Sequence, residues 1–214
     1  KPAEIQERQQ YHPQTHAENG SNGASKNENA LVSAGAVSHG YSRYAYTESG
    51  VSPMSTPGSG APVYTATGLE HDEYGHPNYE PEDHTAMMQK RFSKLETAVQ
   101  VLPTPERYGD KDATIGIIGW GSTEGTIQEA VDRARAKGQR VASLHLKILS
   151  PLPDQTISDF IDSVQKVIVP ECNYSGQLAN LLGAKYGLQA IRINKFGGIP
   201  FTAGEILQAI EEVS

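Results

Sequence analysis

The densest run of side chains able to do chemistry is Glu70-His71-Asp72-Glu73-Tyr74-Gly75-His76, with Asp83 and His84 close behind. Carboxylates and imidazoles in such proximity can ligate a metal or move protons. The two histidines of the run stand five apart around a glycine, so they do not share a helical face, and there is no H-E-x-x-H helix motif. The pattern therefore fits a salt-bridged, hydrogen-bonded loop better than a metal centre. Six of the seven histidines precede residue 85, which places any pH-sensitive behaviour in that half of the chain. Arg43, with Tyr41, Tyr44 and Tyr46 around it, is a cation in an aromatic patch. Its guanidinium fork suits a carboxylate. Tyr and Arg are also enriched at interfaces, and an interface anchor is the expected role.

Three further features bear on chemistry. Gly119-Trp120-Gly121-Ser122-Thr123-Glu124-Gly125 begins like a dinucleotide fingerprint, but Glu124 occupies the place of the third glycine. His145 and Lys147 stand where an acidic residue should end the second strand. Glu124 would also repel a pyrophosphate, so a tight strand-to-helix turn with a serine cap is expected. Cys172 is the only cysteine. It follows a strand near a helix start, where a thiol can be activated, but a buried, inert cysteine is expected. One cysteine permits no intramolecular disulfide and no cysteine-ligated iron–sulfur or zinc site built by this chain alone. Local motifs show no Ser–His–Asp set and no G-x-S-x-G. No catalytic, cofactor-binding or metal residue is assigned within the chain by itself.

The elements that must position these residues differ sharply along the 214-residue chain. Residues 1–40 are polar and rich in Asn, Gly, Ser and His, too poor in apolar surface to offset the entropy of ordering. They read as a polar arm or a disordered insertion. The chain opens on Lys rather than Met, as a piece cut from a longer protein would. Residues 41–80 are punctuated by Gly50, Pro53, Pro57, Gly58, Gly60 and Pro62, which forbid a long helix. Val63–Thr67 is a short strand candidate there. A helix is predicted over 81–102, with Pro81 in its first turn and one apolar stripe of Met88, Phe92, Leu95, Val99 and Leu102. Residues 103–112 read as a linker.

From there strands and helices alternate. Strands are predicted at Thr114–Ile118, Arg140–Leu146, Lys166–Val169 (ended by Pro170) and Ala190–Ile193. Helices are predicted at Thr123–Lys137, Asp154–Ser163 and Gly176–Tyr186, and a last one opens with the Thr202/Glu205 capping box. Inward positions are Ile127, Ala130, Val131 and Ala134, then Ile157, Phe160 and Ile161, then Leu178, Leu181 and Leu182. Alternation of this kind implies an α/β fold: an open, mostly parallel sheet with helices on both faces and right-handed crossovers, where one edge strand could run antiparallel. The net charge of −7 and pI near 5.5 remove the electrostatic basis for binding nucleic acid or anionic lipid. No run approaches the ~18 apolar residues of a membrane span, and Lys1–Gln10 lacks a signal core. A cytoplasmic protein fits best.

Five blocks in order, RYAYTESGVSPMSTPG, TGLEHDEYGH, KLETA, VPECNYSGQL and NKFGGIPFTAGEI, resemble the C-terminal half of the alpha subunit of 2-oxoacid:ferredoxin oxidoreductases, most closely the 2-oxoglutarate type. The resemblance covers residues 41–214. It implies oxidative decarboxylation of a 2-oxoacid on thiamine diphosphate, electron flow through an iron–sulfur cluster to ferredoxin, and acyl transfer to coenzyme A. It further implies that residues 105–214 are similar to the transketolase C-terminal domain. Residues 41–104 would be the tail of an upstream thiamine-type domain plus the 81–102 helix. The beta subunit would carry the thiamine diphosphate and the cluster, so this chain is expected to be scaffold and subunit interface, inactive alone. Candidate substrate- or interface-facing residues are Arg43, Tyr46, Glu48, Ser52, His71, Glu73 and His76. Ser49, Met54 and Leu69 stand where the family commonly has Asp, Arg and an acidic residue, which allows for a different 2-oxoacid. Two rival readings are a docking domain of a lipoyl-linked thiamine-dependent dehydrogenase and a free-standing nucleotide-binding domain.

Overall fold

A computed structural model describes residues 41–56, 58 and 62–214; the arm expected at 1–40 lies outside the described residues. The chain divides into two compact units, one ending at Val101 and the other spanning Leu102–Ser214.

In the first unit, irregular backbone precedes one helix, α1 (Pro81–Val99). Pro81 occupies its start and Glu82 and Asp83 its first turn, as the fixed φ of proline and the positive helix end favour. Val63–Thr67 is not a strand; among the described residues no strand pairs with it. The apolar stripe also fails as a core face. Met87 is buried to 1%, whereas Met88, Phe92 and Val99 are 36%, 59% and 46% exposed. The loops hold α1 through polar groups instead: Lys90 Nζ donates to the Tyr44 carbonyl at 2.6 Å, and Arg91 donates to Glu70. Hydrophobic periodicity is blind to such a face, because the stems of Lys and Arg cover it while their heads make the bonds.

The second unit is an α/β layer structure. Its strands are β1 (Arg107–Gly109), β2 (Ile115–Trp120), β3 (Val141–Leu146), β4 (Lys166–Glu171) and β5 (Ile191–Asn194), in the order β1-β3-β2-β4-β5. Pairing is parallel except for β1 against β3. Helices α2 (Glu124–Ala136), α3 (Asp154–Asp162), α4 (Gln177–Tyr186) and α5 (Ala203–Val213) complete it. β2, β3 and β4 feed both faces by alternation. Ile115, Ile117, Val141 and Ile168 pack with Ile127, Val131, Ile206 and Ile210 of α2 and α5. Ile118, Leu144, Val167 and Val169 pack with Ile157, Phe160, Leu178 and Leu182 of α3 and α4. A strand buried on both sides must be apolar throughout, which is why IGIIGW reads as a continuous run. Each fully buried Ile or Leu contributes about 1.5–3 kcal/mol.

Three details depart from the sequence reading. Strand β1 lies in the predicted linker; three residues carry too little pattern to be seen. Pro170 does not end β4, which continues to Glu171, with Pro170 in register with Ile193 of the edge strand β5. Leu181 is 40% exposed and Ala179 takes the inward place. The Thr202/Glu205 capping box is formed.

Gly109 is where the edge strand meets its neighbour most tightly. Its φ is +104°, and a Cβ there would lie 2.5 Å from the Val141 carbonyl oxygen. Gly109→Ala is expected to lower stability by about 2–3 kcal/mol. Gly125→Ala, with nothing within 4 Å of its Cβ position, should be neutral or stabilising by up to about 1 kcal/mol. Urea unfolding of the two variants checks this; equal midpoints would contradict the β1–β3 pairing.

Candidate functional site

In the first unit the predicted residues gather around Tyr44. The Arg43 Cζ lies 4.9 Å from the Tyr44 ring centroid and 5.3 Å from that of Tyr64. The His71 and Tyr44 ring centroids are 4.0 Å apart. The Tyr44 N–H donates to the Glu73 carbonyl at 2.8 Å. Lys90 lies 5.8 Å from the Tyr44 ring and 5.9 Å from the Tyr46 ring. His71 is buried, and its Nδ1–H donates to the Asp72 carbonyl at 2.8 Å. Ser52 is buried and donates to the Ala45 carbonyl at 2.8 Å. Glu48 is exposed. His76 is exposed and faces the Asp72 carboxylate at 3.4 Å.

The Glu70–His76 run folds as a hydrogen-bonded loop. His71 bridges Pro77 in antiparallel fashion. The Asp72 carboxylate accepts the N–H groups of Tyr74 and His76, both at 2.9 Å, an Asx-type turn. Glu70 ties the loop to α1: Arg91 donates to its two oxygens at 3.1 and 2.5 Å, and His84 Nδ1 lies 2.6 Å away. The Arg91 hydrogen bonds above all, with His84 and the His71 N–H, hold the Glu70 carboxyl down from 4.5 to about 2. Partial burial, reinforced by the carboxylates of Asp83, Glu73, Asp72 and Glu70, pushes the Tyr46 phenol up. Among the described residues no three His, Cys, Asp or Glu side chains converge as a metal site.

In the second unit the loops after β2 and β4 mark a topological switch: β3 lies on one side of β2 and β4 on the other. Ligands of open α/β sheets bind at such crevices. Here the crevice is closed by protein. Glu171, 1% exposed, accepts from the Leu178 and Ala179 N–H groups at 2.7 and 3.0 Å, from Asn173 Nδ2 at 2.9 Å and from Trp120 Nε1 at 3.3 Å. It thereby fills the free N–H groups in the first turn of α4, which begins after Gly176 in a left-handed conformation. Asn173 Oδ1 accepts the Gly176 N–H at 2.8 Å. Sequence reasoning missed Glu171. The available signal was a carboxylate ending an apolar strand, five residues before a glycine that starts a helix.

The Gly119 turn serves packing. A Cβ on Gly119 would lie 2.2 Å from Ile127 Cδ1, so the glycine lets α2 close on β2. The expected serine cap is absent: Thr123 Oγ1 donates to the Trp120 carbonyl at 2.9 Å across a short 3-10 turn, and that turn leaves Ser122 exposed. Glu124 pairs with Lys147 at 3.6 Å. Burial lowers the His145 pKa, and its Nε2–H donates to the Gly121 carbonyl at 3.1 Å. Cys172 is exposed rather than buried, because Glu171 takes the last inward position of β4 and the next residue turns out. Between the first turns of α2 and α5 lies a cavity of about 560 Å³, lined in part by Ser122, Thr126, Arg133 and Thr202. Its cation, Arg133, is paired with Glu129.

The second unit is thus a parallel α/β domain whose switch point is filled by its own glutamate, and the first is a loop-rich unit braced on one helix. Residues 113–206 match the pyruvate:ferredoxin oxidoreductase core domain II. The chain is 34% identical over 177 residues to 2-oxoacid:ferredoxin oxidoreductase 2, subunit alpha, of Aeropyrum pernix, covering 81% of this chain and 27% of that one. It is 37% identical over 148 residues to the 2-oxoglutarate oxidoreductase subunit KorA of Mycobacterium tuberculosis, covering 65% and 22%. Among solved structures, 2-oxoglutarate:ferredoxin oxidoreductase from Magnetococcus marinus, with 2-oxoglutarate, coenzyme A and succinyl-CoA bound, is similar with a TM-score of 0.70 and 40% identity, covering 80% of this chain and 30% of that one. The chain belongs to the 2-oxoacid:ferredoxin oxidoreductase alpha-subunit family, and it spans about a quarter of the length of the curated relatives it matches.

Two outcomes follow from the geometry. Glu171→Ala strands several buried donors and should lower stability by about 3 kcal/mol or more, and Glu171→Gln by about 1–3 kcal/mol. Urea unfolding read by the emission of Trp120, the sole tryptophan, tests this; three equal midpoints would remove the brace. For Glu70 the folded pKa is depressed, so its contribution is fully present above about 4.5 and is lost as the pH falls towards about 2. The stability gap between wild type and Glu70→Gln should therefore close over that window, as read by tyrosine near-UV dichroism during urea unfolding.

Proposed function

We propose that this chain is part of the alpha subunit of a 2-oxoacid:ferredoxin oxidoreductase that converts a 2-oxoacid, 2-oxoglutarate in the first instance, to its acyl-CoA with reduction of ferredoxin. The observation that carries the proposal is the 40% identity and 0.70 TM-score to the Magnetococcus marinus enzyme over four fifths of the chain. Within it, residues 105–214 form the transketolase C-terminal-like domain and 41–104 the tail of an upstream thiamine-type domain. The subunit works in the cytoplasm; among the described residues no helix is long and apolar enough to cross a membrane.

An iron–sulfur cluster needs about four cysteines, and this chain has one. A diphosphate held through a divalent cation needs converging oxygen ligands, and the described carboxylates form no such group. Neither cofactor fits this chain alone, so no chemical step is assigned to its residues. Its role is scaffold and subunit interface, with a beta subunit supplying thiamine diphosphate and the cluster. The exposed Met88, Phe92 and Val99 on α1 support that role, because an apolar stripe left in water marks a surface that another part covers. Arg43, Tyr46, Glu48, Ser52, His71, Glu73 and His76 remain the proposed substrate- or interface-facing set.

The chain mixed with thiamine diphosphate, a magnesium salt, 2-oxoglutarate, coenzyme A and a viologen acceptor is expected to show no turnover. Co-expression with the remainder of the oxidoreductase should restore it. Turnover by the chain alone would overturn the proposal. A pulldown yielding an acyltransferase core and no iron–sulfur subunit would turn it towards the lipoyl-linked dehydrogenase.

A further inference from the structure

Arg43 differs from every other arginine among the described residues. Arg91, Arg107, Arg133, Arg135, Arg140 and Arg192 each donate to an oxygen acceptor. Arg43 has no hydrogen-bonded or ion-paired partner among the described residues, and its Nε is buried without an acceptor. What holds it is aromatic: the Tyr44 and Tyr64 rings lie 4.9 and 5.3 Å from its Cζ, and Tyr64 is itself packed edge-on to buried Tyr41 at 6.4 Å. A guanidinium fixed by ring faces keeps its charge and its planar fork of donors. Burying a donor of a charged group without an acceptor is unfavourable, and a planar, bidentate acceptor relieves it. Lys90, whose ammonium lies 5.8 Å from the same Tyr44 ring, adds positive potential at this point.

We propose that Arg43 is a receptor for a carboxylate brought from outside this unit, taken by the donors of its guanidinium. The group is either the distal carboxylate of 2-oxoglutarate, which 2-oxobutyrate lacks, or that of an aspartate or glutamate of an adjoining part of the enzyme. The first source rests on the oxidoreductase reading above; the second does not.

Arg43→Lys, which keeps the charge and loses the fork, and Arg43→Gln are made in the complete oxidoreductase, with near-UV dichroism confirming that both fold. If the carboxylate belongs to the substrate, Arg43→Gln raises KM for 2-oxoglutarate at least tenfold with kcat within twofold, KM for 2-oxobutyrate changes less than twofold, and Arg43→Lys falls between. If it belongs to the protein, the dissociation constant between subunits rises at least tenfold and neither KM moves. Unchanged KM values together with unchanged subunit affinity overturn the proposal. Should the wild-type assembly show no oxidoreductase turnover, the functional reading fails by itself. The carboxylate question is then read from this chain by the NMR signal of the Arg43 Nε–H, identified by its loss in Arg43→Lys, during titration with sodium acetate. Saturable displacement supports the receptor, and a response no larger than that of exposed arginines overturns it.

Discussion

The second unit depends on one buried carboxylate. Glu171 ends the strand beside the central one and accepts from the first turn of α4, from the loop between them and from the indole of β2. A charge with 1% exposure is tolerable only when its oxygens are filled, and here backbone donors with the positive end of α4 fill them. The same contacts set the pitch of α4 against the sheet, which carries Leu178 and Leu182 into the core shared with Phe160. Trp120, partly buried, packs against the same core. The crevice that many α/β enzymes use for a ligand is thus occupied by the Glu171 carboxylate and its donors.

The first unit is organised on a different principle. Its loops have little apolar surface to bury, and they attach to α1 through Lys90 and Arg91. Glu70 and Tyr44 receive those bonds, and both stand beside His71 in sequence or in space. A segment braced this way holds its shape through directional contacts rather than through area removed from water. The apolar face of α1 is left outside, and a charged and aromatic cluster with Arg43 is left at the loops.

Much of the second unit was legible as a sequence because strand and helix periods are set by geometry. Four of its strands and all of its helices lie within a few residues of their predicted places, and the Thr202/Glu205 cap is formed as its residues require. Where the reading failed, a long-range partner decided. The stripe on α1 obeys helical spacing, yet helical spacing does not say which face a neighbour will choose. Cys172 turned outward because Glu171 was needed inward. Strand β1 exists only through its pairing with β3, and a three-residue run has no period of its own.

Order of elements, layer type and the family blocks are local properties, written in residues that sit near one another along the chain, so they can be read without coordinates. Which carboxylate is buried, which cation is left with rings for company and which helix face stays in water depend on residues brought together from distant parts of the chain. Those choices arise when polar groups compete for a limited number of partners inside a packed interior, a competition that only the folded arrangement resolves.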